Sequence, residues 1–473
     1  MKTIVIGAGP AGLTAAYQLS KQTPAVAVFE ADDCVGGLAR SIELWGQTVD
    51  LGPHRFFSKD RRVNEFWLEV VGRDYAMIAR QTRILYKGKL FEYPLESFDA
   101  LKNLGPLEAL KCLVSYAGEW TSPTPHDGSF EGWVCRRFGR RLFDIFFKIY
   151  TEKLWGIPCG ELDADFAAQR IRQFSLSAAV QGALLPTMRK RHRTSVDEFV
   201  YPIGGTGMPY RRMAEAMQQR GGQVHLKTPV RKVLLEDRKV AGVELASGMK
   251  IACEHVISTM PLTTMATQLD GVPAQVLDAC RQLGFRNTIL VYLEVLNENP
   301  FTDNWIYVHS AEVQFGRVTN FRNWVPQLYG ESPHAILALE YWCNADDEFW
   351  QHDDQELAAL AKDEIARSGL VGDPEKLGRS FVLRIPKSYP VYRRGYQDQI
   401  RTIREYLQNI SGLQVIGRYG AFKYNNQDHS ILMGLLAAEN RLAGKKHDLW
   451  GVNTDYDVYQ QECSITKAGL VTT

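Results

Sequence analysis

The stretch Ile4-Val5-Ile6-Gly7-Ala8-Gly9-Pro10-Ala11-Gly12-Leu13-Thr14-Ala15-Ala16 decides the fold. Its opening apolar, β-branched residues 4–6 read as a short buried strand. They break into Gly7-x-Gly9-x-x-Gly12, and an apolar helical pattern follows over residues 13–19. A second strand pattern covers residues 26–29 and ends at Glu30. This is a βαβ unit whose glycines let the backbone turn sharply and approach a pyrophosphate at a helix N-terminus. Glu30 lies 18 residues beyond Gly12, where a carboxylate accepts from adenosine ribose hydroxyls and repels a 2′-phosphate.

Composition narrows the class. The 473 residues carry 55 Lys+Arg against 54 Asp+Glu, a net charge of +1, and are 45% hydrophobic and 23% charged. That balance excludes disordered, fibrous and membrane-embedded classes. It also argues against a nucleic-acid partner, since phosphate neutralisation needs a cationic excess. Eight scattered cysteines with no C-x-x-C pair fit reduced thiols and predict a cytoplasmic enzyme without a metal site. No signal peptide and no apolar run of membrane-spanning length is expected.

Along the chain, aromatic-rich helical patterns dominate residues 60–165, interrupted by a hairpin over 84–93 with its turn at Lys87-Gly88. The aromatic run 143–150 reads as a buried helix. Gly204-Gly-Thr-Gly207 precedes a helix through Met213, and strand patterns follow at 224–226, 231–235, 240–245 and 256–258. A mixed region covers 289–295, 305–309, 313–321 and 335–342. Strand 413–416 and a helix over 430–442 complete the pattern. The expectation is an α/β protein: a doubly wound, Rossmann-like FAD-binding domain interleaved with a mixed α+β substrate domain and a helical lid. The FAD-binding domain takes residues 1–80, 200–285 and 390–445. The substrate domain takes 81–199 and 286–389, and 446–473 form a C-terminal extension.

The choice of FAD rests on Gly36-Gly37-Leu38-Ala39-Arg40-Ser41, which resembles the second pyrophosphate-contacting turn of the FAD-dependent amine oxidase and sugar-mutase superfamily. Gly36 and Gly37 permit close backbone approach, and Arg40 supplies a cation. Asp50-Leu-Gly-Pro-His54-Arg-Phe-Phe57 resembles the histidine loop of the UDP-galactopyranose mutases, which implies that His54 lies against the flavin and responds to its redox state.

The resemblance to these mutases extends over most of the chain. Residues 150–158 and Ala168-Gln169-Arg170 are similar to the stretch leading into their mobile flap, which implies that Arg170 reaches a substrate diphosphate. Arg317 in Gly-Arg-Val-Thr-Asn-Phe matches the second diphosphate arginine. Tyr389 in Ser-Tyr-Pro-Val-Tyr and Tyr424 in Phe-Lys-Tyr-Asn-Asn-Gln-Asp-His-Ser fall on phosphate-binding tyrosines. Gly417-Arg418-x-Gly420 with Asn426, Gln427 and Asp428 resembles the eukaryotic-type signature that cradles flavin and substrate, which implies that Ser430 beside it also contacts the cofactor. Tyr93 and Glu96 fall beside the base-reading position, where an amide is usual. A carboxylate at Glu96 cannot both donate and accept, so the base or substrate can differ. Phe422 and Lys423 also depart from the family's Trp and Arg.

The resemblance implies a reduced-FAD-dependent mutase that interconverts ring forms of a nucleoside-diphosphate sugar through an adduct at flavin N5. His54, Arg170 and Arg317 would serve as catalytic groups. The same signatures shade into protoporphyrinogen-oxidase-like and other amine-oxidase-type enzymes. A rival reading is therefore an FAD-dependent oxidoreductase acting on an amine, alcohol or C–C bond. A flavin-stabilised scaffold is disfavoured, because such polar groups would cost stability if buried unpaired. No second strand–glycine turn–helix unit is visible, so an external reductant such as NAD(P)H would dock transiently. An oligomer is compatible with the sequence. The basic run 189–193 and the acidic run 346–348 read as solvated surface.

Overall fold

The computed structural model describes residues 2–93, 95, 103–165, 198–453 and 463–472. Glu96, Arg170 and the basic run 189–193 lie outside the described residues. Two compact units emerge, one of residues 1–78, 199–284 and 396–473, the other of 79–198 and 285–395.

The first unit is built on a five-stranded parallel sheet. Its order is Leu413–Val415, His255–Ser258, Thr3–Ile6, Val26–Phe29 and Gln223–His225, so the opening strand sits at the centre. Ile4, Val5 and Val28 are completely buried, as a parallel sheet covered on both faces requires. The helix Pro10–Ser20 starts at the glycine turn, with Pro10 in its first turn and Gly9 as N-cap. The helices Met208–Gln219 and Gln427–Ala443 pack against it. Gly12 is needed for close approach: a methyl group there would stand 2.0 Å from the Gly7 carbonyl oxygen. Gly434 plays the same part between helices, since a methyl group would stand 2.5 Å from the Ala11 carbonyl oxygen.

A three-stranded antiparallel sheet, Val230–Glu236, Lys239–Leu245 and Lys250–Ala252, follows in the same unit. The segment read as a C-terminal extension is part of this unit where it is described. Its hairpin, Cys463–Thr466 with Gly469–Thr472, is held by Asn64 Nδ2 donating to the Cys463 carbonyl at 3.3 Å and Tyr75 donating to the Thr466 carbonyl at 2.8 Å.

The second unit holds a seven-stranded mixed sheet in the order Leu377–Pro390, Phe285–Val295, Ala335–Cys343, Arg317–Asn320, Trp305–Val308, Thr82–Tyr86, Lys89–Glu92. The hairpin turn falls at Lys87-Gly88, both with positive φ (49° and 70°) as a type I′ turn requires. Strand alternation gives this sheet two different faces. One face carries Val291, Leu293, Val318, Leu337 and Leu339 into a core closed by Leu357, Ala361 and Ile365 of the helix Asp354–Arg367. By register, the other face carries Tyr307, Arg317, Glu340 and Trp342. The run 143–150 is helical, with Phe143, Ile145 and Phe146 buried, and Asp144–Lys148 form a π-turn within it.

Two elements depart from the sequence pattern. Residues 313–321 form a strand only at Arg317–Asn320, and the long strand Leu377–Pro390 had no alternating signal, because Arg379, Arg384 and Lys387 interrupt it on an edge.

Replacing Gly434 by Ala is expected to destabilise the protein by about 1–3 kcal/mol, since the added methyl meets backbone that cannot move freely. Urea unfolding of the flavin-loaded variant measures it.

Candidate functional site

In the first unit the predicted cofactor residues converge on the start of the helix Pro10–Ser20. Gly36 donates to the Ala8 carbonyl at 2.8 Å, and the two glycine turns touch where Gly37 approaches the Gly9 Cα. Glu30 folds back over the first turn, accepting from Ala8 N–H at 2.6 Å and Asp32 N–H at 3.0 Å. Arg40 pairs with Asp32 at 2.8 Å, so its charge is shared within the protein. The turn at Gly417 abuts Ala11, and Arg418 lies over the Tyr424 ring at 4.3 Å while donating to the Asn425 carbonyl at 3.1 Å. Asn426 is the N-cap of the helix Gln427–Ala443, with His429 completing a capping box, and Ser430 is buried in its first turn. Phe422 is buried, and Lys423 donates to the carbonyls of Trp450 (2.5 Å) and Val452 (2.6 Å). Burial lowers its pKa to about 8.

Gln427 does something the sequence did not reveal. Its amide donates to the His54 carbonyl at 3.3 Å and to Thr206 Oγ1 at 3.0 Å, and its oxygen accepts from Tyr210 at 2.6 Å. It therefore holds the histidine loop in place. The same network reaches Asp50, fully buried, which accepts from Ser41 (2.6 Å), Tyr201 (2.5 Å) and Thr206 N–H (3.1 Å). The loop Gly204-Gly-Thr-Gly207 thus packs by hydrogen bonds onto the segment carrying Ser41 and Asp50.

These surroundings fit a long anionic dinucleotide. The helix Pro10–Ser20 has no side-chain cap, so its first N–H groups remain available to phosphate. Arg55, beside His54, has a buried Nη1 without a hydrogen-bond partner among the described residues.

In the second unit Arg317 is fully engaged on one side. Its Nε and Nη2 donate to the two Glu340 oxygens at 2.6 Å each, and Nη2 also lies 3.4 Å from the Tyr389 hydroxyl. Burial opposes the guanidinium charge, but Glu340 overcomes this and keeps Arg317 protonated. Aromatic rings surround the pair. Trp342 lies 6.0 Å from the guanidinium, Tyr389 stands edge-on to Trp342, and Tyr150 contacts Trp342, Tyr307 and His309. Tyr93 packs against Tyr307 with the rings tilted and their centroids 4.8 Å apart. Burial, with Lys153 nearby, lowers the His309 pKa to about 3, so this ring is neutral. Lys153 itself donates to the carbonyls of Ser310 (2.7 Å) and Val313 (2.6 Å), and burial lowers it to about 8.

Sequence reasoning missed Glu340, Tyr150, His309 and Lys153. Glu340 had a signal, as a lone acid inside the apolar strand Ala335–Cys343. A separate cavity lined by His126, Trp133, Arg136 and Arg137 shares no residue with either cluster. Among the described residues, no group of three or more His, Cys, Asp or Glu is arranged to hold a metal, and no helix is long and apolar enough to cross a membrane.

Two outcomes follow from this geometry. Burial raises the Asp50 pKa from 3.8 to about 6, so between these values the folded protein retains a proton that the unfolded chain has lost. Stability therefore falls by about 2 kcal/mol from this group as pH rises from 4 to 6. Asp50→Asn should flatten that part of the pH profile in urea unfolding. Arg317→Ala leaves Glu340 buried and unpaired, and should destabilise by about 3–5 kcal/mol. Arg317→Met combined with Glu340→Leu should recover most of that loss.

Comparison with known proteins locates the chain. A solved structure of reduced UDP-galactopyranose mutase superposes with a TM-score of 0.85 at 23% identity, covering 96% of both chains. Coproporphyrinogen III oxidase of Staphylococcus aureus is 21% identical over 93% of this chain and 98% of its own length. A probable UDP-galactopyranose mutase of Klebsiella pneumoniae is 30% identical, over 34% of this chain and 42% of its own. The sequence profile of flavin-containing amine oxidoreductases matches residues 10–440. Nearly the whole chain is thus accounted for, and the protein belongs to the flavin-containing amine oxidoreductase family, with FAD as its cofactor.

Proposed function

We propose that this flavoprotein is a mutase that interconverts ring forms of a nucleoside-diphosphate sugar. The observation that carries the reading is the Arg317–Tyr389 pair within a wall of Tyr93, Tyr150, Tyr307 and Trp342. A buried guanidinium and a phenol suit phosphate oxygens, and flat rings suit a base or sugar face. The Klebsiella relative adds support from sequence.

In this reading Gly7, Gly9, Gly12, Glu30, Gly36, Gly37, Arg40, Gly417, Arg418 and Ser430 hold FAD, while Gln427 fixes the His54 loop. Reduced FAD supplies the nucleophile when bound, with NAD(P)H as an external reductant. The chain's own residues bind and stabilise. Arg317 offsets negative charge on the departing diphosphate, Tyr389 donates a hydrogen bond to it, and the aromatic wall excludes water. Glu96, Arg170, Tyr424 and Asn426 complete the proposed substrate contacts.

A second reading has its own support. Glu340 already occupies one edge of Arg317, and the Staphylococcus coproporphyrinogen III oxidase aligns along almost the whole chain. An oxidoreductase needs no diphosphate clamp.

Dithionite-reduced protein incubated with nucleotide-sugars separates the two. The mutase reading expects an isomer of unchanged mass and no stoichiometric use of reductant. One equivalent of peroxide or reduced acceptor per product, with no isomer, would overturn it. In calorimetry, the Arg317→Met/Glu340→Leu variant should bind a nucleoside diphosphate about 10- to 100-fold more weakly than the parent, and Tyr389→Phe about tenfold more weakly.

A further inference from the structure

Asp50 is a fully buried acid that the proposed chemistry does not use. Three segments of the first unit converge on it. Ser41, which follows Arg40 in the second glycine turn, donates to Oδ1 at 2.6 Å and accepts from Gly207 N–H at 2.9 Å. Thr206 N–H, in the 204–207 loop, donates to the same Asp50 oxygen at 3.1 Å. Tyr201 donates to Oδ2 at 2.5 Å, and its neighbour Val200 accepts from Phe56 N–H at 3.3 Å, so residues 200 and 201 hold the histidine loop at both ends. Thr206 passes the constraint on. Its Oγ1 accepts from Gln427, whose amide also donates to the His54 carbonyl. The fit is close, since a methyl group at Gly205 would stand 2.4 Å from Ser41 Oγ and one at Gly207 would stand 2.6 Å from Ser41 N.

The charge itself needs a reason, because an amide of the same shape would be cheaper to bury. An ionised carboxylate accepts from all three donors and strengthens each bond. An amide or a protonated carboxyl turns one edge into a donor that faces the Tyr201 hydroxyl. Arg211 on the helix Met208–Gln219 favours the charge, Tyr201 is the titratable neighbour, and Glu43, along the same hairpin, accepts from Thr48 at 2.6 Å. Burial outweighs these partners and lifts the Asp50 pKa to about 6, so the acid changes state in a mildly acidic range.

We infer that the Asp50 carboxylate is a positioning residue that locks the 36–41 turn, the 204–207 loop and the histidine loop into one arrangement for FAD, and that protonating it releases them. The inference rests on the family's cofactor and is the same for an isomerisation or an oxidation.

Amide hydrogen exchange of the full-length, FAD-loaded protein, each rate divided by its intrinsic value, tests it. At about pH 7.5, Asp50→Asn should speed exchange in residues 51–57 and 204–207 about tenfold, and should speed FAD release on dilution, read by flavin fluorescence, by a similar factor. The strand Thr3–Ile6 and the helix Pro10–Ser20 should keep the parent's rates. Tyr201→Phe removes one donor and keeps the shape. It should give a smaller effect in the same segments, and it decides the test if Asp50→Asn fails to fold. Taking the parent to about pH 5 should reproduce the Asp50→Asn pattern, although neutral Asp50 adds to global stability, and the variant itself should not respond. Exchange that quickens evenly across the unit, loops that do not respond, FAD release at the parent's rate, or a pH response that persists in Asp50→Asn would each overturn the inference.

Discussion

Backbone proximity at the start of the helix Pro10–Ser20 is the constraint on which the first unit depends. The Gly7 carbonyl lies where any side chain at residue 12 would have to sit, and the Ala11 carbonyl lies where one at residue 434 would. The central strand, the first helix and the Gln427–Ala443 helix can therefore approach closely only because two positions, 12 and 434, lack Cβ atoms. That approach also brings the Gly37 and Gly417 turns to the same helix end. Turns hundreds of residues apart in sequence are thus held together by contacts of ordinary van der Waals scale.

Much of this was legible beforehand. Gly7-x-Gly9-x-x-Gly12 marks a local event, a strand turning into a helix, and local events leave local patterns. The hairpin at Lys87-Gly88 is legible for the same reason. The strand Leu377–Pro390 was not, because an edge strand exposing Arg379 and Lys387 carries little apolar alternation. Partners distant in sequence were equally hidden. Glu340 stands out as a lone acid in its strand, but nothing near Arg317 announces their pairing, and nothing near Gln427 announces Tyr210 or the His54 carbonyl. Such pairings depend on sheet register and helix packing, which the sequence specifies only through the complete fold.

The two units also divide their polar chemistry differently. In the first, Asp50, Tyr201, Thr206, Gln427 and Tyr210 form a connected hydrogen-bonded chain whose members satisfy one another. Such a network fixes loop geometry well, because moving one member leaves others unpaired in a low-dielectric interior. In the second, Arg317 and Glu340 form a compact ion pair among rings, and neutral His309 adds no charge to it.

That ion pair has a consequence for how a ligand arrives. A lone buried guanidinium would project a net positive potential outward, whereas one matched by a carboxylate behaves as a local dipole whose field decays far more steeply with distance. The aromatic face therefore has little reach into solution. On the proposed reading, an anionic ligand would feel Arg317 only after it had entered, and selection at this face would rest on shape and stacking at close range, with electrostatics acting last.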